Sequence, residues 1–185
     1  MNVVHELKQG NIGVIPTDTL YGLVANARNE EAVERVYRLK GRTPGKPCII
    51  LISSFDDLAQ FDVIVSKKRR EVLCRYWPGP VSCVLPCGAN TPEYLHRGTG
   101  TVAFRFPNDA GLQGFLREAG PLIAPSANPE GLPPATTVKE ARVYFRNRVS
   151  FYVDGGVRIG PASTLIALGS DDSVTVIRPG TARTR

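Results

Sequence analysis

The stretch NEEAVERVYRLKGRTPGKPCIILI, Asn29 to Ile52, carries the alternation on which the fold reading rests. From Glu30 to Lys40 the apolar positions recur at helical spacing, which puts Val33, Val36 and Tyr37 on one face. Asn29 stands where an N-cap belongs, its carboxamide free to accept from a backbone N–H of the first turn. Past the Pro44-Gly45 turn, Cys48 to Ile52 is a short unbroken apolar run of strand length. A helix turning directly into a buried strand is a building block of a mixed α/β domain.

Similar apolar runs, bounded by Gly, Pro or polar residues, predict strands at Gly13 to Ile15, Val81 to Leu85, Val102 to Phe106 and Leu122 to Ala124. Further strands are expected at Phe151 to Val153, Thr164 to Leu168 and Val174 to Ile177. Ser66 can cap a helix that holds Val72 and Leu73 and ends near Trp77. Ala110 to Ala119 reads as another helix, stopped by Gly120. Thr137 and Glu140 have capping-box spacing at the head of a helix running through Tyr144 to about Asn147. The order is not a strict alternation. We therefore expect one open, twisted, mixed sheet flanked by helices, and no regular barrel.

The 185 residues suit a single domain over 1–185, and 42% hydrophobic content suffices for one core. No apolar run approaches a bilayer span, and Met1 to Gly10 lacks a signal-peptide pattern, so a soluble cytoplasmic protein is expected. Cys48, Cys74, Cys83 and Cys87 form no CxxC pair and read as small buried apolar residues. The net charge of +6 fits RNA contact, a nucleotide cleft or a solvated surface alike. Its densest run, Ser66 to Glu71, reads as a solvated helix face. Arg183 to Arg185 reads as a frayed end.

Three separate segments hold the groups suited to an anionic ligand: PTDTLYGL (Pro16 to Leu23), LKGRTPGKP (Leu39 to Pro47) and APSANPEGLPPATT (Ala124 to Thr137). Cations near a helix C-terminus account for Lys40 and in part for Arg42. They account less well for Lys46, beyond the turn, and three cations there resemble an anion clamp. In PTDTLYGL the hydroxyls of Thr17, Thr19 and Tyr21 and the Asp18 carboxylate can bond a ligand, though a capped, hydroxyl-rich turn explains the same letters. Pro125 and Pro129 stiffen the chain about Ser126 and Asn128, which share a side if the segment is extended. There is no GxxxxGK[ST] loop, no GxGxxG after the first strand and no GxSxG elbow. P-loop, dinucleotide-binding and serine-hydrolase classes are set aside on that ground.

Taken together, the three segments resemble the YrdC-type threonylcarbamoyl-AMP synthase family, in the family's order from about Gly10 to Gly180. PTDTLYGL matches its first signature, and Lys40-x-Arg42 with Ser126-x-Asn128 matches its four polar landmarks. WPGP (Trp77 to Pro80), TVAFRFP (Thr101 to Pro107), Ser163-Thr164 and IRPG (Ile177 to Gly180) fall where the family has comparable segments. The resemblance implies an open α/β sheet with a basic central cavity. It further implies a nucleotidyltransferase that makes threonylcarbamoyl-adenylate from L-threonine, bicarbonate and ATP, with magnesium arriving on the nucleotide and no dedicated metal site.

By the same resemblance Lys40, Arg42, Ser126 and Asn128 are catalytic. Arg42, Lys46, Thr101, Ser126, Pro134 and Arg178 bind ATP, and Thr19, Tyr21, Arg105, Ala124 and Ser163 bind threonine. A downstream transferase would then modify an adenosine beside the tRNA anticodon, and contact with tRNA or double-stranded RNA is a further implied partner. The alternatives are a non-catalytic RNA-binding module and a paralogue of undefined activity that keeps the pocket.

Overall fold

A computed structural model describes residues 1–169 and 171–182; the expectation for Arg183 to Arg185 lies outside them. In chain order the elements are α1 (Val3–Lys8), β1 (Gly13–Pro16), β2 (Tyr21–Asn26), α2 (Glu30–Lys40), β3 (Ile49–Leu51), a 3-10 helix (Phe55–Phe61), α3 (Lys67–Leu73) and β4 (Val81–Pro86). Then follow α4 (Glu93–His96), β5 (Thr101–Arg105), α5 (Ala110–Ala119), β6 (Leu122–Ile123), α6 (Val138–Phe145), β7 (Phe151–Tyr152), β8 (Thr164–Leu168) and β9 (Val174–Arg178).

The strands form one sheet in the order β7-β1-β2-β6-β3-β5-β4-β8-β9. Pairing is mixed: β1 with β7, β3 with β5 and β4 with β8 are parallel, and the other neighbours are antiparallel. This is the open mixed sheet expected from the sequence.

Strand periodicity divides the core between the two faces of the sheet. Val14, Tyr21, Leu23, Ala25, Ile50 and Ile52 pack into a large cluster with α2 residues Val33, Val36 and Tyr37. Their neighbours Ile15, Val24 and Leu51 face the other way and meet Leu7 of α1 and Leu112 and Leu116 of α5. Helices therefore cover both faces. At about 25 cal/mol per Å² this two-sided burial is the main stabilising term.

Several local expectations need correction. PTDTLYGL is a turn only as far as Leu20, where Leu20 donates to Thr17 Oγ1; Tyr21 already begins β2, whose first five residues are buried. The helix capped by Ser66 ends at Leu73, short of Trp77, and the chain continues in turns. α6 stops at Phe145 because Arg146 takes φ 50°, outside the helical region. Thr137 does accept from Glu140 N, but the Glu140 carboxylate reaches back one residue further, to Thr136 N at 2.8 Å. Cys48 and Cys83 are buried as expected, whereas Cys87 is half-buried and Cys74 is exposed. Short α1, α4 and the 3-10 helix were not expected at all.

Candidate active site

Each of the three polar segments is delivered by an edge of regular structure. The 17–20 turn joins β1 to β2, and Arg42 follows the end of α2. The segment after β6 continues alongside β2: Leu23 N donates to Pro125 O at 2.9 Å, Ala127 N donates to Tyr21 O at 2.8 Å, and Gly22 bridges Ser126. Arg105 ends β5, Ser163 precedes β8 and Arg178 ends β9. Gly180 makes that last approach possible. A Cβ there would lie 2.2 Å from Ala162 O, so only glycine lets the chain pass.

These pieces enclose a cavity of about 100 Å³. Thr19, Tyr21, Arg42, Arg105, Ala124, Ser126, Ser163 and Arg178 line it, as the sequence led us to expect of one site. Thr17, Leu20, Gly22, Ile49, Pro125 and Ala162 line it as well. Thr17 was visible in the first motif; Ile49 and Ala162 carry no chemical signal in the sequence.

The Lys40–Ser126–Asn128 group interlocks beneath this cavity. Lys40 is only 4% exposed, and its ammonium donates to Ser126 O (2.7 Å), Asn128 O (2.8 Å) and Asn128 Oδ1 (3.0 Å). All three of its protons are thus engaged by the loop. Ser126 Oγ donates to Asn128 Oδ1 at 2.7 Å, and Asn128 Nδ2 donates to Leu132 O and Pro129 O. Ser126 and Asn128 share a side, as expected, but through a tight turn closed by Asn128 N to Ser126 O, not through extended chain. Burial, reinforced by the Arg42 charge, pulls the Lys40 pKa from 10.5 down to about 8.

Arg42 is placed differently. Gly41 takes the left-handed conformation at φ 62° and ends α2, so the chain swings Arg42 out to the cavity wall. Its Nε and Nη2 donate to Lys46 O and Pro47 O, both at 2.9 Å. Arg178 donates to Ser163 O at 2.9 Å, and Ser163 Oγ lies 2.9 Å from Ser82 Oγ. Burial and then the Arg42 charge lower the Arg178 pKa, the mark of two cations facing one space. Arg105 is not an exposed strand-end residue. It is 4% exposed and pairs with Asp18 at 2.9 Å. The Tyr21 hydroxyl accepts from Gly155 N and donates to Gly156 O, tying the 154–156 segment to the site.

Five expected site residues are not part of the cavity lining: Lys40 and Asn128, which interlock with Ser126, and the more distant Lys46, Thr101 and Pro134. The Lys46 side chain is 59% exposed and its ammonium holds Glu130 Oε1 at 2.9 Å. Glu130 also accepts from Thr43 N, and hydrogen bonding to Lys46 and then Thr43 holds its pKa down at about 2. Thr101 starts β5 at the end opposite Arg105, roughly 13 Å away at strand rise, and its Oγ1 is 3.2 Å from that of Thr99. Pro134 is exposed on the loop leading to α6. The family resemblance brought Thr101 and Pro134 into the set, and charge beyond the Pro44-Gly45 turn brought in Lys46, but neither places a side chain on a given wall.

The fold and site define a mixed-sheet α/β protein that gathers arginines and hydroxyls from distant segments into one small cavity. Residues 5–180 match the Sua5/YciO/YrdC family model, described as "Telomere recombination", and the chain belongs to this family. It is 36% identical over 94% of its length to the threonylcarbamoyl-AMP synthase of Pyrococcus abyssi, and spans 52% of that relative. It is 37% identical over 89% of its length to the threonylcarbamoyl-AMP synthase of Thiobacillus denitrificans, and spans 88% of that one. The crystal structure of P. abyssi Sua5 complexed with L-threonine superposes with a TM-score of 0.87 at 34% identity, over 96% of this chain and 53% of that one. The chain thus spans about half the length of the Pyrococcus abyssi and Bacillus subtilis relatives it matches. Among its described residues no helix is long and apolar enough to cross a membrane.

Proposed function

We propose that the chain is a threonylcarbamoyl-AMP synthase, a cytoplasmic nucleotidyltransferase that supplies an activated threonylcarbamoyl group for tRNA modification. The observation that carries this reading is the convergence of Arg42, Arg105 and Arg178 above the interlocked Lys40, Ser126 and Asn128. Relatives named for that activity, and one solved with L-threonine, support it.

In this mechanism the threonine amine takes up bicarbonate to give a carbamate and water. A carbamate oxygen attacks the α-phosphorus of ATP; the new P–O bond forms as the bond to pyrophosphate breaks. Negative charge grows on the phosphoryl oxygens and the leaving group, where preorganised cations act most strongly. Arg42 and Arg178 face that charge, and a guanidinium can grip phosphate oxygens bidentately. Arg105 meets the threonine carboxylate, with Thr19 and Tyr21 beside it. Magnesium would travel with the nucleotide on its phosphate oxygens.

On this reading Lys40 and Ser126 play a different part from direct phosphate contact. Lys40 holds the Ser126–Asn128 loop in shape, and the Ser126 hydroxyl proton is committed to Asn128. Much of the rate gain then comes from holding the substrates in one orientation. Mass spectrometry of a mixture of folded protein with ATP, threonine, bicarbonate and magnesium should reveal threonylcarbamoyl-AMP and pyrophosphate. No adduct over a range of pH would reject the reading, and steeply salt-dependent RNA binding without ATP affinity would point to a binding module.

A further inference from the structure

Two kinds of arginine meet at the cavity. Arg42 and Arg178 donate to backbone carbonyls, and among the described residues neither belongs to an ion pair. Arg105 lies 2.9 Å from Asp18 Oδ1, with the two side chains only 5% and 9% exposed. Its Nη1 and Nη2 also donate to the hydroxyls of Thr19 (3.1 Å) and Thr17 (3.3 Å).

The pair is poorly built for stability. Neither Asp18 oxygen has a well-aligned hydrogen-bond donor, and Arg105 Nε has no acceptor. Burial pushes the Asp18 carboxyl pKa up, against the pull of Arg105. Two buried charges with unfilled hydrogen-bonding capacity are not a better core than apolar side chains of the same size. The arrangement calls for a reason in the ligands.

Besides bicarbonate, the proposed reaction brings together two ligands with anionic groups, an amino acid with a single carboxylate and a nucleotide with several phosphate charges. A bare buried guanidinium would attract the polyphosphate more strongly than the carboxylate. A carboxylate held against it cancels the long-range attraction and leaves directional N–H donors, which suit a monoanion. Resting on the reading above, we propose that Asp18 is a specificity-determining residue: by neutralising Arg105 it reserves that subsite for the amino acid and leaves the phosphates to Arg42 and Arg178.

Calorimetric titration with L-threonine, with and without saturating inorganic pyrophosphate, tests this. In the wild-type chain pyrophosphate should change the threonine dissociation constant less than about threefold. In Asp18→Asn pyrophosphate should compete at Arg105 and raise that constant at least about tenfold, while Asp18→Glu should behave as wild type. Competition already present in the wild type, or absent from a folded Asp18→Asn, overturns the assignment. Asp18→Asn leaves a buried cation unpaired, so a variant that fails to fold is replaced by D18N/R105Q, which removes both charges. That double variant should bind pyrophosphate within about threefold of wild type, and a larger loss means that Arg105 already serves phosphate. A wild-type chain that binds pyrophosphate but no threonine would instead sink the functional reading itself.

Discussion

Lys40 and Arg42 stand two residues apart, on either side of a glycine that reverses the backbone. Lys40 points back beneath the site, buried, with three oxygens closing on its ammonium. Arg42 swings forward to the cavity wall and holds only two carbonyls of its own turn. One cation is part of the frame and the other faces the cavity. A Lys-x-Arg pair read as a single clamp hides this split, which follows from where the helix ends.

The largest expected effect comes from breaking the frame. Lys40→Met should cut turnover by about a thousandfold and lower stability by about 3 kcal/mol, because buried acceptors are left without a donor. Steady-state kinetics beside urea unfolding would read both. Lost turnover with unchanged stability would mean that Lys40 also works directly on substrate, and the contrast with Arg42 would collapse. Arg42→Ala should cut turnover about a hundredfold, or about 2.7 kcal/mol, the low end for one transition-state donor. Its stability should stay within about 1 kcal/mol of wild type, since no buried partner is orphaned.

A pH series sharpens the same contrast. The folded pKa of Lys40, about 8, is below its usual 10.5. Between those values the unfolded chain binds more protons than the folded one, so this group makes stability rise with pH. The loop meanwhile loses an N–H donor as the ammonium becomes an amine. Turnover should therefore fall roughly tenfold per pH unit above about pH 8, with no matching fall in melting temperature from this group. A rate profile flat to about pH 9.5 would contradict it.

The smallest effect is expected at the outer tie. Lys46→Ala and Glu130→Gln should each raise the Michaelis constant for ATP modestly and leave turnover within about tenfold, because an exposed ion pair holds its loops weakly. Equal effects in the two variants and in the double variant would identify the pair as one unit. A turnover loss confined to Lys46→Ala would return that lysine to the phosphates.

Much of this was legible in the letters. Periodicity located α2 and α5 end to end, because Asn29 and the glycines at 41 and 120 punctuate clean amphipathic runs. β2 went unseen because its opening residues Tyr21 and Gly22 complete a polar motif, and a turn explains hydroxyls as well as a strand does. At the site, the ordered motifs brought eight lining residues together but also admitted Thr101 and Pro134, while charge beside a turn admitted Lys46. A motif records neighbours along the chain, whereas lining depends on strand face and strand end. Asp18 was read as a group that can bond a ligand, but its pairing with Arg105 was not foreseen, because that partner is supplied by a strand with which its own turn shares no ladder.

The docking of β8 against β4 also bears on how the molecule is made. Ser163 meets Ser82 across 81 residues of chain, and Arg178 reaches the cavity only after β9 has folded back on β8. A ribosome must therefore have released residues through Arg178 before the last wall can close. Contacts of such long range form late, after local helices and hairpins. A nascent or trimmed chain that ends before β8 would hold most of the core residues yet lack Ser163 and Arg178, two parts of the cavity wall.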